Sequence, residues 1–189
     1  MTSQTSKTID LLLAESFKEI VVGKPIEKIT IKEITDRAGV IRPTFYNHFQ
    51  DKYELMEWII REELILPMKP LLEAGQYWEA LQKPMDALLS SKAYYLQAAR
   101  LEGQNSFSSS LQAQVSELIL SCIPEQKMQE KLPYAWLTPK RAADFFAASI
   151  TQGVLGWIYT GMEVPKEEVI DVFMKLCSHS IEDLIHIVE

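Results

Sequence analysis

Apolar residues open the chain as a helical stripe. Ile9, Leu12, Leu13, Phe17, Ile20 and Val21 recur at three- and four-residue steps, the spacing of one face of an amphipathic helix. Gly23-Lys24-Pro25 predicts its end, because Gly accepts a left-handed cap and Pro cannot continue a helix. Thr30 and Glu33 have the spacing of a capping box, in which hydroxyl and carboxylate satisfy each other's backbone N–H. They predict a second, two-turn helix with Ile31, Ile34 and Ala38 inward. Gly39 is the expected left-handed residue of a tight turn, with Val40 filling the angle. A third helix is predicted over 42–49. Pro43 sits in its first turn, where no N–H partner is lost. Phe45 and Phe49 face inward, and Thr44, Asn47 and His48 face away. Asp51 is the expected cap of a fourth helix with Leu55, Trp58 and Ile59 on its inner side, ended by Pro67 and Pro70.

Beyond Pro70 no strand-like alternation occurs. Pro84, Pro124, Pro133, Pro139 and Pro165 divide the chain into helices expected near 76–82, 85–101, 107–122, 126–132, 139–160 and 166–188. Segment 139–160 is apolar nearly all round, which predicts burial on every side. Gly153 and Gly156 would let a neighbouring helix approach closely or leave room for a ligand. The last helix has a wide apolar face, including Val169, Phe173, Leu176, Ser180 and Leu184. That face is expected to dimerise, two helices from each subunit forming a four-helix bundle. The predicted fold is all-α, with an N-terminal three-helix helix-turn-helix head over 6–66 and a helical C-terminal domain for dimerisation and effector or partner binding over 67–189.

With 47% hydrophobic residues among 189, the chain can bury a sizeable core, which argues against disorder. The net charge of −7 disfavours nucleic acid as a partner until its distribution is read. Residues 1–52 hold eight Lys and Arg against seven Asp and Glu, and the remainder eleven against nineteen. No acid lies between Asp36 and Asp51. A near-neutral head on an acidic body localises attraction for phosphate. Cys122 and Cys177 lie among apolar residues with no metal-ligand spacing and read as small core hydrophobes. The N-terminus lacks the features of a signal peptide, and no run approaches a membrane span. A soluble cytoplasmic protein with no membrane partner is expected. His48, His179 and His186 form no metal pair, no Gly-rich phosphate loop occurs, and no nucleophile motif is present. Catalysis, metal and cofactor are therefore not expected.

The stretch 31–52 holds the candidate chemistry. A short recognition helix set at a Gly turn can enter the major groove of double-stranded DNA. Arg42 can bond guanine or phosphate, Asn47 can pair with adenine, and Thr44 can serve phosphate or a thymine methyl. Tyr46, His48 and Lys52 suit phosphates. Thr30 and Pro43 complete the expected DNA-binding set. Tyr94, Tyr95, Phe107, Phe146 and Trp157 are the aromatic candidates for lining an effector pocket, which is usually apolar with a few polar groups; for any one of them ordinary core packing is the simpler reading. The residues alone leave open an all-α dimeric protein-interaction module.

The stretch ITIKEITDRAGVIRPTFYNHFQDKYELM resembles the DNA-binding signature of TetR-family transcriptional regulators. The likeness rests on Thr30, Ala38, Gly39, Val40, Thr44, Phe45, Tyr46, His48, Phe49, Asp51, Lys52, Glu54 and Leu55, and extends over about residues 7–66. Two positions depart from the pattern: Ile41 replaces a small Ser, and Pro43 follows the basic residue. The resemblance implies a homodimer on a near-palindromic operator, controlled through the C-terminal domain by a small molecule or a coregulator protein. LLSSKAYYLQAARLEGQNSFSSSL and GWIYTGMEVPKEEVIDVFMKL are similar to a branch that includes regulators of dihydroxyacetone kinase operons. That branch implies a coregulator-dependent activator with no small-molecule effector.

Overall fold

The computed structural model describes residues 2–131 and 134–179, all of whose regular elements are helical. The head begins with α1 (Thr2–Gly23). A 3-10 turn at Ile26–Lys28 leads to α2 (Ile31–Ala38), where the capping box is present in full. Gly39 ends α2 with φ 68° and ψ 28°, the left-handed conformation. The third helix, α3, is shorter than predicted, spanning Arg42–Tyr46. Past it three helical bonds persist, from Asn47 N–H to Pro43 O at 3.1 Å and from His48 and Phe49 N–H to Phe45 O, each at 2.9 Å. Asp51 caps α4 (Lys52–Ile60) by accepting from the N–H groups of Tyr53 and Glu54.

The head core is a ladder of rings. Phe45 and Phe49 lie 5.9 Å apart, and Phe49 meets Trp58 edge-on at 6.0 Å. Phe17, Phe45, Leu55 and Ile59 are fully buried around them. Each such side chain contributes roughly 1.5–3 kcal/mol by leaving water. α1 packs on α2 and α4, and α2 on α3, which fixes the angle of the recognition helix.

After α4 the same helical run continues as a π turn, Arg61–Ile65. Its i→i+5 bond runs from Leu66 N–H to Arg61 O at 2.8 Å. The body follows with α5 (Lys69–Glu73), α6 (Tyr77–Ser90), α7 (Lys92–Ala98), α8 (Phe107–Cys122), α9 (Glu125–Lys131), α10 (Pro139–Tyr159) and α11 (Lys166–Ser178). α8 and α10 form the main helix pair. Ser116 on α8 donates to Asp144 on α10 at 2.6 Å. Ser106 and Thr138 supply the N-caps of those helices.

Four expectations need correction. Pro84 does not divide a helix but lies inside α6, where it forfeits one backbone bond; the break falls at Ser91 instead. Pro70 opens α5 rather than closing α4, since the first helical turn needs no N–H partner. α10 is not buried on every side: Phe145 remains 70% exposed, and Phe146 and Tyr159 are exposed too. Cys122 and Cys177 are free and exposed rather than core residues. The predicted extension of the last helix to 188 lies outside the described residues beyond 179.

Candidate nucleic-acid interface and body cavity

The recognition helix presents its polar side outward because Phe45 anchors the opposite side in the core. Arg42, Pro43, Tyr46 and Asn47 are exposed and Thr44 is half-buried. No acid among the described residues forms an ion pair with Arg42, so its guanidinium is open to a phosphate or a guanine edge. Ile41 stands beside it, 69% exposed, as an N-cap with no side-chain hydrogen bond. In sequence this position reads only as a missing hydroxyl. On the surface it is a β-branched methyl group beside the helix that would enter the groove, a shape suited to a thymine methyl.

The other three predicted contacts are tied into the fold. The Thr30 hydroxyl donates to Glu33 Oε2 at 2.8 Å and its N–H to the same oxygen at 2.9 Å. Both its donors are therefore used within the capping box. Lys24 bonds the other oxygen of Glu33 at 2.6 Å. The Lys24 bond and those from Thr30 hold the Glu33 carboxyl at about 2, below its usual 4.5. His48 Nδ1 lies 2.6 Å from Asp10 Oδ1, which fastens the end of the recognition segment to α1. Lys52 Nζ donates to the carbonyls of Glu27 and Ile29, each at 2.8 Å. Partial burial lowers its pKa, opposed by the carboxylates of Glu27 and Asp51. Lys52 is thus a strut between α4 and the loop before α2, with one of its three N–H donors left over.

The predicted effector aromatics do not line the apolar cavity found in the body. Tyr94, Tyr95 and Phe107 are fully buried, stacked edge to face at 4.8 and 5.9 Å. Burial, and secondarily the charge of Glu63, pushes both tyrosine phenols up. Trp157 is buried with its indole N–H on Val164 O at 2.9 Å, and Phe146 is exposed. The cavity, about 630 Å³, lies instead among the π turn, α5, α6, α8, α10 and α11. Its walls are mainly aliphatic, with Leu72, Met85, Leu111, Val115 and Val154 typical, and Tyr77 and Phe173 are its aromatics. Lys69, Glu73, Ser121, Cys122 and Cys177 supply polar atoms to the lining. Aliphatic positions facing a cavity have the same spacing as positions facing a core, so no sequence signal separated them.

Of the expected dimer residues, Phe173 packs within its own chain. A Cβ on Gly153 would lie 2.3 Å from its ring, and Phe173 also borders the cavity. Val169 is half-buried, and Leu176 is 51% exposed. Ser180 and Leu184 lie outside the described residues. The exposed large apolar side chains of α10 and α11 are Phe145, Phe146, Tyr159, Val172, Met174 and Leu176. Among the described residues no cluster could hold a metal ion, and no helix is long and apolar enough to cross a membrane.

A capped helix, a left-handed Gly turn and an outward-facing polar recognition helix on an all-α body define a helix-turn-helix regulator. Residues 18–59 match the model of bacterial regulatory proteins of the tetR family, and residues 76–179 that of a transcriptional regulator C-terminal region. The chain belongs to the TetR family: it is a DNA-binding transcriptional regulator and not an enzyme. It is 33% identical over 52 residues to the HTH-type dhaKLM operon transcriptional activator DhaS of Lactococcus lactis subsp. lactis (strain IL1403), a match spanning 28% of each chain. Its fold is similar to the dihydroxyacetone kinase operon activator DhaS (TM-score 0.63, 20% identity, 89% of this chain and 93% of that one). It is also similar to NalD, the secondary repressor of the MexAB-OprM multidrug efflux pump in Pseudomonas aeruginosa (TM-score 0.59, 15% identity, 90% and 94%).

Proposed function

We propose that this regulator acts in the cytoplasm as a homodimer on a near-palindromic operator. Heads over 6–66 read the two half-sites, and bodies over 67–189 set their separation. The observation that carries this reading is the recognition surface itself. Arg42 has no acidic partner among the described residues, and Ile41, Tyr46 and Asn47 stand exposed beside it. Two-fold symmetry of such a dimer makes half-sites fall about one helical turn of DNA, or a small multiple, apart. Pairing through the exposed Phe145, Phe146, Val172 and Leu176 removes apolar surface that a monomer leaves in water.

Control runs through the body. The cavity supports a small apolar effector, because its walls offer carbon on nearly every side and polar groups at only a few points. A second reading is a coregulator-dependent activator. It is favoured by the likeness to a protein described as an operon activator.

Selection of duplexes from a random-sequence pool tests the DNA reading. An enriched inverted repeat, with affinity lost in Arg42→Ala and Tyr46→Ala, supports it; no enrichment refutes it. Native mass spectrometry of protein purified from its host separates the two modes of control. A bound metabolite favours the effector, and a co-purifying protein favours the coregulator.

A further inference from the structure

Five described α-helices begin at a cap residue in extended conformation: α2 at Thr30, α3 at Ile41, α4 at Asp51, α8 at Ser106 and α10 at Thr138. Thr30, Asp51, Ser106 and Thr138 each accept a backbone N–H with the side chain. Ile41 has no atom to accept one, although its φ of −88° and ψ of 153° lie close to the −90° and 156° of Thr138. Ser, Thr, Asp and Asn lead at such positions, and isoleucine ranks far below them. The recognition helix therefore begins on a residue that stabilises it less than a hydroxyl would. Burial does not compensate, because the side chain is 69% exposed. Fold stability does not account for an isoleucine here.

Its surroundings indicate what it meets. Arg42 and Pro43 follow it and are exposed as well, Thr44 is half-buried, and Phe45 turns into the core. Ile41 has no donor for a phosphate. On the major-groove edges of the bases, the C5-methyl of thymine is the group that an apolar side chain can read. A β-branched side chain has few rotamers to lose in making that contact. We propose that Ile41 is a specificity-determining residue, its side chain packing on the C5-methyl of one thymine in each half-site. Cytosine at that place presents an amino group and no methyl, and is rejected. Stability and base choice thus have opposite signs at one position: a helix cap is given up for a methyl contact. The inference rests on α3 being the helix that reads the operator.

The test uses the full chain and the operator selected as above, with each thymine replaced in turn by deoxyuridine, which lacks only the methyl group. Affinity is read by fluorescence anisotropy and stability by thermal melting, for wild type, Ile41→Val and Ile41→Ser. One thymine of the half-site is expected to respond. Its replacement weakens wild-type binding about fourfold per half-site, or about fifteenfold when both are changed, the worth of one buried carbon. Ile41→Val keeps that loss, and in Ile41→Ser it falls below roughly twofold per half-site. The serine protein melts no lower than wild type, and up to about 2–4 °C higher, because its hydroxyl can accept from the Thr44 N–H. A uracil penalty equal in wild type and Ile41→Ser assigns the methyl to another side chain, Pro43 among them, and overturns the proposal. So does a selected half-site without thymine, or a serine variant that melts lower than wild type. In each of these cases the operator remains, and the DNA-binding reading with it. A pool that yields no operator overturns both.

Discussion

Gly39 allows backbone strain to be separated from packing. It adopts φ 68°, and the N–H groups of Gly39 and Val40 both bond Thr35 O, the latter at 3.0 Å. A Cβ added there meets nothing within 4 Å. Substitution therefore costs only what the left-handed backbone imposes, about 1–2 kcal/mol for an L-residue. Ala recovers part of that, about 0.4–1 kcal/mol, by restricting the unfolded chain. The net expectation is about 1 kcal/mol for Gly39→Ala, near zero for Gly39→Asn, whose side chain tolerates this region, and the largest loss for β-branched Gly39→Val. In a chain of this size 1 kcal/mol lowers the melting temperature by about 2–4 °C. Circular-dichroism melting gives the stabilities, and anisotropy on the selected operator gives affinity. Affinity should fall in the same order, because relief of strain opens the angle between α2 and α3. A Gly39→Asn protein as damaged as Gly39→Val, or a Gly39→Ala protein that melts higher than wild type, would refute the claim that backbone conformation holds this turn.

Four other outcomes are expected. The Glu33 carboxyl is held at about 2 in the fold against 4.5 when free, so its contribution is complete above 4.5 and drains away as pH falls toward 2; denaturant titrations of Glu33→Gln should show a flatter pH slope in that window and no change in slope near neutrality. Arg42→Ala should weaken operator binding by about 1–3 kcal/mol and leave melting unaltered; a loss that is uniform across sequences, with a shallower salt dependence, would assign it to phosphate instead of a base. Phe145→Glu should convert the proposed dimer to a well-folded monomer in sedimentation, since the side chain is already exposed in the protomer; a surviving dimer would place the interface elsewhere. Phe173→Asp should instead destabilise the protomer, on the order of 2 kcal/mol by chemical denaturation, because its ring packs on Gly153 inside the chain.

The head was largely legible from the chain because its signals are local. A capping box needs residues three apart, a left-handed turn needs one glycine, and a two-turn helix shows its face through Ile31, Ile34 and Ala38. Thr30, Gly39, Phe45 and Asp51 all took the expected roles, since each satisfies backbone groups or buries a ring within its own neighbourhood. What escaped depended on partners distant in sequence. His48 meets Asp10, 38 residues away, and Lys52 reaches carbonyls 25 and 23 residues back. These bonds give two expected DNA contacts a structural partner as well, and no spacing rule encodes them. The body was harder for the same reason. Its helices show apolar faces, yet whether such a face meets core, cavity or water depends on how the helices cross. Phe173 went inward against Gly153, Phe145 stayed outside, and the cysteines reached a chamber instead of the core. Periodicity specifies that a surface must be covered; the cover itself is chosen by close packing between helices far apart along the chain.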